Sequence, residues 1–210
     1  MLRLLFTSIV GVSLILPVSA SPIGAGSPVT PKLYQVGQLV KCSYKGRFES
    51  TKTVECQLRA GLNSDTLWKF SAGENHWENL GKNAGQQVVI GYRKGGIKHM
   101  EADFSLLTLQ TIAEKPTKAT TCATKSPSDS YSVGFRVARI LSAEDDDGVW
   151  QVQAQLGGDG NLEAWSFEIS QKENPTCHEK FLELMSSGVN HTFHYHQEGK
   201  NDDYKIWRVD

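Results

Sequence analysis

The chain has 210 residues, of which 39% are hydrophobic and 21% charged, enough material for one or two domains with buried cores. Its 22 basic and 23 acidic residues leave a net charge of -1, which argues against the basic footprint of a nucleic-acid binder. No G-x-S-x-G nucleophile turn is present, and no pair of carboxylates is marked out by spacing.

Taken in chain order, residues 1 to 20 carry Arg3 as their only charge, an apolar run from Leu4 to Leu16, and the small residues Val18-Ser19-Ala20. These features predict a secretory signal peptide, and no later segment predicts a membrane span. The expected location is therefore periplasmic or secreted. Residues 21 to 31, SPIGAGSPVTP, read as a flexible lead-in. Export places Cys42, Cys56, Cys122 and Cys177 in an oxidising compartment, where an even count predicts two disulfides. Three connectivities are possible. One of them joins Cys42 to Cys56 on neighbouring predicted strands and ties Cys122 to Cys177.

An internal repeat follows. Tyr34-Gln-Val-Gly37 recurs as Tyr131-Ser-Val-Gly134 and Trp68-Lys-Phe70 as Trp165-Ser-Phe167, both at an offset of 97. Farther on, Ala84 to Tyr92 faces Ser187 to Tyr195 at an offset of 103. At 97, the counterparts of Cys42 and Cys56 are Arg139 and Gln153, so the second copy lacks that staple. The expected domains are residues 32 to 112 and 131 to 210, joined by a Thr, Ser, Lys and Pro-rich linker at 113 to 130.

Both copies are mainly β. Val54, Cys56 and Leu58 alternate with polar neighbours, as do Val152, Ala154 and Leu156, and Gly/Asp clusters such as EDDDG separate the runs like hairpin turns. A short helix is predicted after Pro175, from His178 to Ser186, with a shorter equivalent around Trp77 to Leu80. Each copy then ends in a strand, Phe104 to Ile112 or Tyr204 to Val209. Five strands with a helix before the fourth is the order of an OB-type barrel, with SH3-like barrels or small sandwiches as alternatives.

Gly134, Val137, Gly157, Gly158, Trp165, Phe167, Gly188 and Tyr195 in the second copy give it the pattern of a group of small exported bacterial proteins of unknown function, which it resembles. The resemblance implies OB-like domains and supplies no catalytic residue.

Charge divides unevenly between the copies. Residues 32 to 112 hold 11 basic and 7 acidic residues, whereas 131 to 210 hold 7 and 14, or about +4 against -7. This is either two solvated surfaces that differ, or a basis for mutual docking or for a polar binding surface on each half.

The candidate binding residues lie in the second copy and among the tryptophans. In GVNHTFHYHQ, residues 188 to 197, His191 shares the inward strand face with Phe193 and Tyr195, so only His194 and His196 converge on the outer face. Two imidazoles do not close a metal site, and no metal or other cofactor is expected. The pair reads as a pH-sensitive binding face or as a plain exposed strand. Trp77, Trp150 and Trp207, which the repeat does not require as core, could form an aromatic contact surface. The expected function is a non-enzymatic binding protein with a protein partner, the alternatives being a cell-wall or other glycan ligand and, less favoured, a small hydrolase or metal-dependent enzyme.

Overall fold

In the computed structural model the described residues are 30–45, 53–60, 67–95, 104–112, 120–125, 127, 132–157, 163–197, 199 and 203–210. The expected signal peptide, most of the lead-in and much of the linker lie outside them.

In the first repeat, β1 (Leu33–Lys45), β2 (Thr53–Ala60), β3 (Leu67–Gly73), β4 (Gln87–Lys94) and β5 (Phe104–Thr111) close on themselves. β1 pairs with β2, β2 with β3, β3 in parallel with β5, β5 with β4, and β4 returns to β1. A 3-10 turn (Glu74–His76) and helix α1 (Trp77–Lys82) fill the step between β3 and β4. The two-residue strand β6 (Cys122–Ala123) belongs to the linker. The second repeat has the same circuit: β7 (Ser132–Asp146), β8 (Val149–Leu156), β9 (Ala164–Ser170), β10 (His191–Gln197) and β11 (Lys205–Val209). Its pairings run β7 to β8 to β9, in parallel to β11, then to β10 and back to β7. Closure leaves few free edges, which is how an OB-type barrel of short strands protects itself.

Local chemistry accounts for several elements. Asp147 and Gly148, with φ of 47° and 86°, make the two-residue turn between β7 and β8, a conformation open to Asp and Gly and matched to strand twist. The acidic cluster is thus a hairpin tip. The helix expected as one piece is two, α2 (Pro175–Glu179) and α3 (Phe181–Ser186), separated at Lys180. Asn174, fully buried, starts α2 by accepting a hydrogen bond from the Cys177 amide at 3.1 Å, and its Nδ2 donates to the Ile206 carbonyl at 3.2 Å. Phe181, Leu184 and Met185 are the face that α3 buries.

Both disulfides form, Cys42 with Cys56 and Cys122 with Cys177, spanning 14 and 55 residues. The first staples β1 to β2; the second fixes the linker to α2, and β6 then pairs with the end of β11.

Strand register corrects the equivalence read from the repeat. Leu39 pairs with Leu58 and Leu58 with Trp68, whereas Ile140 pairs with Ala154 and Ala154 with Trp165. Because the two tryptophans correspond, Leu39 answers Ile140 and Leu58 answers Ala154, so β1 and β7 match at an offset of 101 and β2 and β8 at 96. The counterparts of Cys42 and Cys56 are therefore the paired, buried Ala143 and Val152, not Arg139 and Gln153. An apolar pair stands where the first barrel has a disulfide.

The barrel interiors are separate, but the cores are not. Leu39, Val54, Cys56, Leu58, Phe70, Leu80 and Ile90 lie within the first barrel's own cluster. Tyr34, Val36, Val89 and Ile112, also from the first repeat, pack instead with the core of the second. Leu33, Tyr34 and Gln35 of β1 pair with Glu144, Ala143 and Ser142 of β7, making one continuous sheet of both repeats. Gln35 Nε2 donates to the Leu141 carbonyl at 3.2 Å, and Lys32 and Asp147 meet at 3.5 Å on the surface.

Candidate functional site

The outer face of the second barrel, across β7, β10 and β11, gathers the candidate residues. On β7 the period of two sends Gly134, Arg136 and Ala138 inward and Val133, Phe135 and Val137 outward. Gly134 leaves room for the Tyr195 ring, because a Cβ there would lie 2.6 Å from the Tyr195 hydroxyl and displace it. Arg136 lies over two aromatic rings, its guanidinium 5.6 Å from the Trp165 ring centre and 5.5 Å from that of Tyr204. The outward side chains have no such cover. Phe135 is 66% exposed, Val133 62% and Val137 41%.

The neighbouring β10 follows the expected facing. His191 and Phe193 are buried, while Thr192, His194 and His196 stand on the outer side. Register places Thr192 opposite Val137, His194 opposite Phe135 and His196 opposite Val133. A shift in the pairing of β10 with β11 between His194 and Tyr195 brings Trp207 beside them. The rings of Phe135 and His194 are 6.0 Å apart and those of His194 and Trp207 5.6 Å, giving a row across three adjacent strands.

A polar rim borders this row. His194 Nε2 and Asp210 Oδ2 are 2.9 Å apart, and Arg208 donates from Nε to Asp210 Oδ1 at 2.9 Å, with its Nη2 2.9 Å from Oδ2. The hydrogen bond from Arg208, and after it that from His194, hold the Asp210 carboxyl below its ordinary range. The carboxylate fixes the histidine ring. Among the described residues, the contacts of this unit join the His194 ring, the Asp210 carboxylate and the Arg208 guanidinium. Among the described residues, no group of three or more His, Cys, Asp or Glu is placed to hold a metal ion.

Of the five predicted binding residues, His194, His196 and Trp207 come together here. Trp77 does not: it begins α1 on the first barrel and lies against Tyr44, ring centres 4.1 Å apart. Trp150 requires correction, because it is only 6% exposed. It stacks on Phe181 at 4.6 Å, meets Tyr34 edge-on at 5.6 Å and donates to the His178 carbonyl at 3.3 Å, so it is core at the junction of the repeats. Phe135 and Val133 were missed; the apolar alternation of β7 puts them on one face of the strand but does not distinguish an exposed face from a covered one.

A second histidine site is internal. His191 Nε2 and Ser187 Oγ are 2.8 Å apart, and burial lowers the pKa of His191. Ser187 Oγ donates to the Leu184 carbonyl at 2.7 Å and receives the Val189 amide at 3.4 Å, which makes the pair a brace for the turn between α3 and β10.

No family model and no curated protein sequence matches this chain. Among solved structures, one described as "Molecular basis for abrogation of activation of pro-inflammatory cytokines" is 10% identical, with a TM-score of 0.28 over 87% of this chain and 94% of the other. A second, the tetrameric p202 HIN2, is 8% identical, with a TM-score of 0.24 over 88% and 96%. Neither likeness carries weight here; the OB-type assignment rests on the strand pairings. No helix among the described residues is long and apolar enough to cross a membrane.

Proposed function

We propose that this is an exported, non-enzymatic binding protein whose second barrel engages a protein partner through the outer face of β7, β10 and β11. The observation that carries this reading is the exposure of Val133, Phe135 and Val137 in one row, beside His194, His196 and Trp207. An apolar strip bordered by the Arg208 and Asp210 charges has the anatomy of a protein contact, with an aromatic anchor inside a polar rim. The two disulfides support an oxidising compartment outside the cytoplasm. The non-enzymatic reading is supported by the use of both histidine pairs to orient and brace. A glycan ligand fits less well, since Trp207 is only partly exposed and the prominent side chains include two valines.

The test is capture of partners by the mature, oxidised chain from the native envelope or host extract. Phe135→Glu is expected to remove specifically captured protein, and His194→Ala with His196→Ala to weaken it. Unchanged capture in all variants would refute the assignment of this face.

A further inference from the structure

Resting on that reading of the face, the structure points to its occupant: we propose that the partner is a second copy of this chain, docked head to tail through its first barrel.

The contact between the two repeats is heterologous. It joins residues 33–35 of the first barrel to residues 142–144 of the second, and register makes these different positions of the repeated unit. Each barrel therefore has two docking faces. The face centred on 33–35 recurs at 134–136, where Tyr34 answers Phe135 and Val36 answers Val137. The face centred on 142–144 recurs at 41–43.

Within one chain only half of these faces are used. Tyr34 and Val36 are 6% and 1% exposed because the second barrel covers them, whereas Phe135 and Val137, of the same chemical kind, are 66% and 41% exposed. The strand edges show the same asymmetry. Residues 33–35 have β4 on one side and β7 on the other, while 134–136 have β10 on one side and, among the described residues, no strand on the other. At the opposite end of the chain, Lys41, Cys42 and Ser43 pair only with β2 among the described residues, next to Val40 and Tyr44, which are 37% and 46% exposed. Tyr44 stacks on Trp77, so the open face of the first barrel also presents aromatic surface.

One molecule thus ends in a socket whose plug is displayed at the other end. Repeating the internal register between copies sets Gly134, Phe135 and Arg136 against Ser43, Cys42 and Lys41 of the next molecule, antiparallel. The net charges of the repeats favour the same union, residues 131 to 210 carrying about -7 and residues 32 to 112 about +4, while Arg136, opposite Lys41, holds its guanidinium over Trp165 and Tyr204. Trp77, set apart from the histidines in one molecule, becomes their neighbour at such a junction.

The experiment is sedimentation velocity on the mature, oxidised chain across the micromolar range at two salt concentrations. Mass is expected to rise with concentration and to fall with salt. Phe135→Glu and Tyr44→Glu should each raise the apparent dissociation constant about tenfold or more. An equimolar mixture of the two variants should give a one-to-one dimer and nothing larger, since each retains the face the other has lost. Val40→Glu is a second variant of the first-barrel face that leaves the Tyr44 and Trp77 stack in place, and thermal melts check folding throughout.

Wild-type chain that stays monomeric overturns the inference, and so does a dimer lost in Phe135→Glu but untouched by Tyr44→Glu and Val40→Glu. If the monomeric wild type still captures another protein that Phe135→Glu does not, the binding face stands and the second copy is excluded. If Phe135→Glu changes neither mass nor captured protein, both readings fall.

Discussion

Replacing Cys42 with Ala and Cys56 with Val gives the first barrel the pair that the second carries at the same register, Ala143 and Val152. Cys56 is fully buried, and Val fills its site, so little cavity is created. What is lost is the constraint on the unfolded chain across a separation of 14 residues, worth about 3 kcal/mol on the chain-entropy account. Against a typical total stability of about 5–15 kcal/mol, the barrel should remain folded in water but unfold at lower urea. Urea unfolding followed by tryptophan fluorescence and near-ultraviolet circular dichroism measures the change. A loss below about 1 kcal/mol would show that the bridge does not act by loop closure. A variant unable to fold without denaturant would refute the register that equates the two pairs.

Removing Cys122 and Cys177 as Ala should cost more, about 4 kcal/mol from closure of a 55-residue span, checked in the same assay. Trp150→Ala should destabilise by about 3–5 kcal/mol, since its ring joins Tyr34 to Phe181, and melting should show the two barrels losing their joint transition. Phe135→Glu should change stability by no more than about 0.5 kcal/mol, because its side chain is mostly in water; a larger loss in urea titration would contradict its exposure. Burial lowers the pKa values of His191 and His76 below the ordinary imidazole value of 6.5, so the unfolded chain takes up these protons first as pH falls. The stability contribution of the two neutral rings is complete above pH 6.5 and is lost as pH drops from there toward their folded values; thermal melts at stepped pH should show this, and His191→Gln should flatten the slope.

The five-strand order, the short helices and the presence of two disulfides were readable from alternation, turn residues and cysteine count, whereas the choice among three connectivities came from the structure. The offset of 103 also held, since register places His194 in line with Gly91 and Tyr195 with Tyr92. At the opening strands the sequence signal misled. The YxVG likeness lies four residues from the structural equivalence, and because four is even, the two registers keep the same side chains of β7 on each face. On β2 and β8 the error was one residue, which reverses the faces and put exposed Gln153 in place of buried Val152. Burial of Trp150 was available from the pattern that places Val152 and Ala154 inside, since it stands two residues earlier on β8. The exposure of Phe135 was not available. Tyr34 and Phe135 read alike in sequence, and only the packing of one barrel on the other separates them.

The Cys122 to Cys177 bridge has a consequence for where the sheet can be opened. Among the described residues, β6 meets β11 through two residue pairs, with a bond from the Thr124 amide to the Trp207 carbonyl and one from Lys180 Nζ to the Thr121 carbonyl. So few bonds would not hold a two-residue strand against chain entropy without the covalent tie. In a reducing compartment this strip would peel away and bare the outer edge of β11, turning a covered margin into a template for stray strand addition. Oxidation therefore acts as a latch on this end of β11, closed only while the bridge is intact.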